Sequence, residues 1–187
     1  HHGSNRNGRY DLLEAYYKSA GVVLGSGTGG SVRLYYRKSD NRRVAVKFFR
    51  RDTEQVRREL TLAQTLPAHP HLMQTLGVYR MNKSTRAHAL SLPSAELSRV
   101  EVAVVEASKA GYRAADVPAL VTDYYPDDLF AVIERSEDMS ADERDKLFAQ
   151  LLYAVAHLQR HGLAHRDLKL ENACVDETGS LRLIDLG

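Results

Sequence analysis

Apolar and polar residues alternate over residues 32–37, where Val32, Leu34 and Tyr36 are interleaved with Arg33, Tyr35 and Arg37. A period of two is the mark of a β-strand, and it returns at residues 44–48. There Val44, Val46 and Phe48 share one face, with Ala45 and Lys47 on the other. Ser39, Asp40 and Asn41 give a turn signal between the two strands, and residues 22–24 add an earlier one, which makes an antiparallel meander. Residues 10–19 fit a helix or a strand equally well. Over residues 52–66 the period lengthens to that of a helix, with Asp52 and Gln55 as a capping box and Pro67 as the stop. Residues 72–79 and 119–124 read as a fourth and a fifth strand. The connection between them, residues 82–117, is rich in Ser and Ala and holds an apolar run at 100–105 that fits either period. Connections this long are functional or mobile. Shortening this one is expected to cost about 1 kcal/mol or less, provided nothing packs on it. After Pro126 the chain turns helical. A short helix is predicted over 128–135, and Ser140 with Glu143 caps a longer one. Its Leu147, Leu151, Val155 and Leu158 form an apolar stripe that ends near Gly162.

Composition narrows the function classes. The 26 basic and 24 acidic residues leave a net charge of +2, so no global field favours nucleic acid or a membrane surface. No apolar run approaches the ~20 residues that a membrane span needs. The one cysteine, Cys174, excludes a disulfide framework and fits a reducing, cytoplasmic compartment. The opening His1-His2-Gly3-Ser4 reads as a tag remnant, and residues 1–9 as a flexible lead.

The chemistry concentrates at the far end, where residues 165–172 read HRDLKLEN and DLG begins thirteen residues after Asn172. Asp167 can accept a proton from a hydroxyl, and Lys169 can neutralise a moving phosphoryl group. Asn172 and Asp185 offer hard oxygen ligands to a divalent cation. Upstream, Gly25-Ser26-Gly27-Thr28-Gly29-Gly30-Ser31-Val32 fits GxGxxGxV, in which glycines let backbone amides approach phosphates. Alone, such a cluster is as often a plain turn. An alternating strand follows it, which disfavours a dinucleotide-binding βα turn, and no Gly-Lys-Ser/Thr follows to make a Walker loop. Period-two geometry sets the small Ala45 beside the cationic Lys47. Glu59 shares a helix face with Val56, Leu60 and Ala63, and a carboxylate in an apolar stripe needs a partner, with Lys47 the obvious cation. The alternatives are an edge-strand lysine and a solvated glutamate.

These motifs resemble the eukaryotic protein kinase family from the glycine loop to DLG, over nearly the whole chain. The resemblance implies an α+β fold: a five-stranded antiparallel sheet with one helix over residues 10–124, carrying the insertion at about 82–117, then a hinge and the first part of a helical lobe over 125–187. It implies ATP and Mg2+ in a cleft, a Lys47–Glu59 ion pair, and a hinge at Thr122, Asp123, Tyr124 and Tyr125, with Thr122 at the back of the pocket. Asp128 either reaches the ribose hydroxyls or caps the helix it begins. Cys174 stands where a residue packs beneath adenine, or is an ordinary buried thiol. Gly25, Ser26, Gly27, Thr28, Gly29, Gly30, Val32 and Ala45 complete the expected nucleotide contacts. Lys169, two after Asp167, is similar to the serine/threonine type, which implies protein substrates with Ser or Thr acceptors. Residues 125–132 and 162–175 resemble the fungal transporter-regulating group, the nitrogen-permease-reactivator and halotolerance kinases. Departures are Leu186 for the usual Phe, Ala63 for a larger residue, and Leu170 for a frequent Pro; none removes a catalytic group. No activation segment follows Gly187. These 187 residues are therefore expected to be an incomplete catalytic domain. Alone they should be inactive and prone to self-association through the apolar stripe of helix 140–161. A nucleotide-binding pseudokinase and a truncated interaction module are the alternatives.

Overall fold

The computed structural model describes residues 10–27, 29–91, 117–136 and 138–186, in two compact units. Thr28, Gly187, the lead 1–9 and the ambiguous run at 100–105 lie outside the described residues.

The first unit comprises residues up to Leu60 and Leu76–Thr122. A single turn of helix, α1 (Leu13–Tyr16), opens it and leads directly into β1 (Tyr17–Gly27), so the ambiguous lead-in is both helix and strand. Strands β2 (Gly30–Arg37) and β3 (Arg43–Phe49) continue the meander as antiparallel pairs. With β4 (Thr75–Tyr79) and β5 (Ala119–Asp123) they form a five-stranded sheet in the order β1-β2-β3-β5-β4. Val44, Val46 and Phe48 are fully buried, and with Leu13, Tyr17, Tyr35, Tyr79 and Val121 they make the core of this unit. On β2 the buried face carries Ser31, Arg33 and Tyr35. An arginine is admitted there because its guanidinium reaches a backbone carbonyl.

Helix α2 (Glu54–Thr65) follows β3. Its cap is not the expected Asp52–Gln55 box. Thr53 Oγ1 accepts from the Val56 N–H at 3.2 Å, while Asp52 makes a two-point pair with Arg57. Arg57, five residues on, can reach back to the carboxylate, which removes Asp52 from capping.

The connection after β4 begins with a second unexpected element, α3 (Lys83–Ala89), capped by Asn82. Its Arg86 is buried, and the guanidinium donates to the carbonyls of Phe49 at 2.9 Å and Val117 at 3.1 Å. Residues 83–90 are thus part of the first unit's packing, and the condition for cheap shortening fails there.

The second unit comprises Thr61–Thr75 and Asp123–Gly187. It contains β6 (Asp127–Asp128), α4 (Leu129–Arg135), α5 (Ala141–Arg160), a 3-10 turn (Leu170–Asn172), and the hairpin β7 (Ala173–Val175) and β8 (Leu181–Leu183). Helix α5 opens with the predicted Ser140–Glu143 capping box, both arms present. It ends in a Schellman motif: Leu163 N–H donates to the Leu158 carbonyl, Gly162 N–H to Gln159, and Gly162 takes the left-handed φ of 70°. Leu147, Leu151, Val155 and Leu158 pack with Leu72, Ala173, Leu181 and Leu183. The stripe expected to lie bare is therefore covered within this unit, and the exposed apolar residues of α5 are Phe148, Leu152 and Tyr153. Among the described residues no helix is long and apolar enough to cross a membrane.

Replacing Arg86 by Ala strands two carbonyls in the first unit, each bound by a charged donor. It should lower stability by about 2–3 kcal/mol, read as a drop in the urea midpoint at unchanged m value.

Candidate phosphotransfer site

In the first unit, β2 and β3 pair with Val32 opposite Lys47. The side chains of Val44, Val46 and Phe48 claim the core, which turns Ala45 and Lys47 to the less buried face. Lys47 Nζ lies 2.5 Å from Glu59 Oε1, with the carboxylate 15% exposed and the ammonium 34% exposed. The ammonium also sits 5.4 Å from the centre of the Phe49 ring. This half-buried pair sets the end of Lys47 at a fixed place on the sheet.

The glycine run closes the β1–β2 hairpin, paired from Tyr17 opposite Arg37 to Gly27 opposite Gly30. Its glycines differ in what demands them. A Cβ at Gly30 would fall 1.9 Å from the Phe48 carbonyl oxygen, so β3 itself requires glycine there. A Cβ at Gly25, Gly27 or Gly29 would meet nothing within 4 Å. The protein's own packing does not call for glycine at those three, which fits a backbone left open to phosphate oxygens.

The second unit assembles the residues of the HRDLKLEN run. His165 is 5% exposed and uses both ring nitrogens: Nε2 donates to the Ile184 carbonyl at 2.6 Å, and Nδ1 accepts from Asp167 N–H at 3.2 Å. The Asn172 amide nitrogen donates to the Asp167 carbonyl at 2.9 Å and to its Oδ2 at 3.0 Å. Lys169 Nζ lies 3.1 Å from the same Oδ2. The hydrogen bond from Lys169, with help from Asn172, holds the Asp167 carboxyl below the usual carboxylate range. Arg166, at φ 71°, and Asp185, at φ 55°, both take the left-handed conformation that non-glycine residues avoid.

Ile184 N–H donates to the Asn172 carbonyl at 2.8 Å, which extends the β7–β8 ladder by one step and brings Asp185 beside the Asn172 end. With its NH2 group committed to Asp167, Asn172 presents its oxygen. Asn172 and Asp185 each carry a hard side-chain oxygen, the donor type that suits magnesium. Among the described residues no cluster of three or more His, Cys, Asp or Glu forms an all-protein metal cage.

Asp128 serves as the cap: its Oδ1 accepts from Ala131 N–H at 2.7 Å. Cys174 lies opposite Asp128 in the β6–β7 pair. It is buried, and that burial, with Asp128, Asp185 and Asp127 nearby, pushes its thiol up to about 12. In the first unit Thr122 is buried on β5. In the second, Asp123 is buried and Tyr125 Oη accepts from Gln74 N–H at 3.3 Å.

The sequence profile of the protein kinase domain matches residues 19–187. The chain belongs to the protein kinase family. It is 33% identical over 180 residues to the nitrogen permease reactivator protein of Saccharomyces cerevisiae, covering 91% of this chain and 18% of that protein. It is 34% identical over 187 residues to the serine/threonine-protein kinase oca2 of Schizosaccharomyces pombe, covering 95% and 23%. The chain thus spans about a fifth of the length of these curated relatives. Among solved structures, that of Rad53 1-466 in complex with AMP-PNP superposes with a TM-score of 0.64 over 94% of this chain and 39% of that one. At 19% identity that likeness speaks for the kinase fold alone.

Two positions of this kinase domain carry more than their motif suggests. His165 joins Asp167 to the DLG strand, a role that the triplet His165-Arg166-Asp167 signals only by its position. Ile184, read as a plain strand residue, holds Asn172 and His165 through its backbone. Because burial keeps Cys174 protonated at pH 8, iodoacetamide should modify it at least about tenfold more slowly in the native kinase than in urea. Comparable rates by mass spectrometry would show the thiol to be accessible in the native protein.

Proposed function

We propose that this chain is the nucleotide-binding and catalytic-loop portion of an ATP-dependent serine/threonine protein kinase, transferring the γ-phosphoryl group to Ser or Thr hydroxyls of protein substrates. The observation that carries this reading is the Asp167 carboxylate, held by both the Lys169 ammonium and the Asn172 amide and tied through His165 to the strand that delivers Asp185. Kinase-named relatives among fungi support the serine/threonine class.

Phosphoryl transfer asks the protein for alignment and charge compensation. Asp167, held anionic, accepts the hydrogen bond of an incoming hydroxyl and aims its oxygen. Its first task is alignment of that hydroxyl. Lys169 meets charge that builds on the transferred group. Lys47, steadied by Glu59, and the amides around Gly25, Gly27 and Gly29 meet the nucleotide phosphates. Magnesium, when bound, would be held by the oxygens of Asn172 and Asp185 and would supply further neutralisation there. The likeness to the nitrogen permease reactivator protein makes membrane transport one setting for the substrate.

A nucleotide-binding pseudokinase is the second reading. Its weakness is that Lys47, Glu59, Asp167, Asn172 and Asp185 are all present.

In the full-length kinase, Asp167→Asn should leave ATP affinity within about threefold and lower kcat by about a thousandfold or more. Asp185→Asn should instead weaken magnesium-dependent nucleotide binding, and Lys47→Met should abolish turnover with little change in unfolding temperature. Equal loss of binding in Asp167→Asn and Asp185→Asn would refute this division of labour. Nucleotide binding without phosphotransfer by the unaltered full-length protein would favour the pseudokinase.

A further inference from the structure

Arg50, just past β3, is tied to two places in the first unit. Its backbone N–H donates to the Gly29 carbonyl at 3.0 Å and its Nε to the Gly27 carbonyl at 3.2 Å. Its Nη1 reaches the Leu90 carbonyl at the end of α3, at 2.8 Å. Ser31 Oγ and Arg33 Nε, on the β2 side of the same hairpin, both donate to the Ala89 carbonyl, at 2.5 and 2.9 Å. The last carbonyls of a helix have no acceptor role inside it and favour cations. Here Ser31, Arg33 and Arg50 supply the donors that those carbonyls lack within the helix. Arg86 crosses in the other direction, from α3 to the Phe49 carbonyl.

Gly27 and Gly29 have no side-chain packing to fix them, since even an added Cβ would touch nothing within 4 Å. Beyond the Gly27–Gly30 pairing, Arg50 holds both carbonyls, through its side chain at Gly27 and its backbone at Gly29. Arg50 also keeps a second terminal nitrogen buried with no partner among the described residues, a cost that a surface arginine avoids by turning to water. We propose that Arg50 is a positioning residue through which α3, the start of the β4–β5 connection, holds the glycine hairpin and so sets nucleotide affinity. This rests on the reading of that hairpin as the phosphate-binding element. It makes the β4–β5 connection a place from which ATP affinity is tuned without touching the catalytic loop.

The test uses the full-length kinase with Arg50→Ala and Arg50→Lys. Losing charge-assisted bonds to two carbonyls should raise the KM for ATP about tenfold in Arg50→Ala, with kcat within about twofold. Lysine keeps the charge but cannot fork to Gly27 and Leu90 together, so Arg50→Lys should behave like the alanine variant. Hydrogen exchange on the nucleotide-free protein supplies a readout that does not depend on activity. In Arg50→Ala the amides of residues 25–31 should exchange faster while those of 44–48 stay unchanged. Wild-type KM in Arg50→Ala, full function in Arg50→Lys, or exchange that rises evenly across the first unit would each overturn the proposal. Should the unaltered protein transfer no phosphate, the kinase reading fails by itself. The exchange comparison then decides whether Arg50 holds the hairpin.

Discussion

The arrangement of the second unit depends on one short backbone bond, Ile184 N–H to the Asn172 carbonyl. It continues the β7–β8 ladder past its last named pair, Ala173 opposite Leu183, and so fixes the start of DLG against the end of the HRDLKLEN run. His165 then closes the loop from beneath. Because its Nε2 must donate to a carbonyl while Nδ1 accepts an amide, the ring works as the neutral tautomer protonated at Nε2. A ring so committed ties Asp167 and Asp185 to a common frame, and the left-handed backbones of Arg166 and Asp185 are the strain that this frame sustains.

Polar groups inside the fold serve the same end in the first unit. Arg33 and Arg86 are 8% and 9% exposed, and each is admitted because a carbonyl waits for it. Gln150, on the buried face of α5 in the second unit, accepts from Leu181 N–H at 2.8 Å and so joins that helix to the β7–β8 hairpin. Such bonds contribute little net stability while satisfied, yet leaving one partner bare costs far more. They therefore select a single register of packing more than they deepen the energy well.

Each unit holds its own charges in place: Lys47 and Glu59 hold each other in the first, and Lys169 and Asn172 hold Asp167 in the second. The glycine hairpin has no such packing at Gly25, Gly27 and Gly29. Its order has to come from hydrogen bonds along its base, from the pairing with β2 and from Arg50, which α3 also engages.

The family, the strand meander, the α5 capping box and the identity of the chemical groups were legible in the sequence, because strand period, helix caps and HRDLKLEN are local signals carried by contiguous residues. Three features run against the local pattern, one through a side-chain pair five residues apart and two through contacts distant in the chain. Asp52 was taken from capping by Arg57, the buried face of β2 includes an arginine, and a connection with no clear pattern begins with a helix built into the sheet's surroundings. The cap that Asp128 gives α4 is set by the place of Ala131 N–H against its carboxylate, which residue type alone does not specify. The sequence alone determined the fold family and which side chains stand at the positions of the HRDLKLEN and DLG motifs. Tertiary structure alone decided which carbonyls and amides each would meet, since a hydrogen bond between residues such as Arg50 and Leu90 is set by packing in space and leaves no periodic trace along the chain.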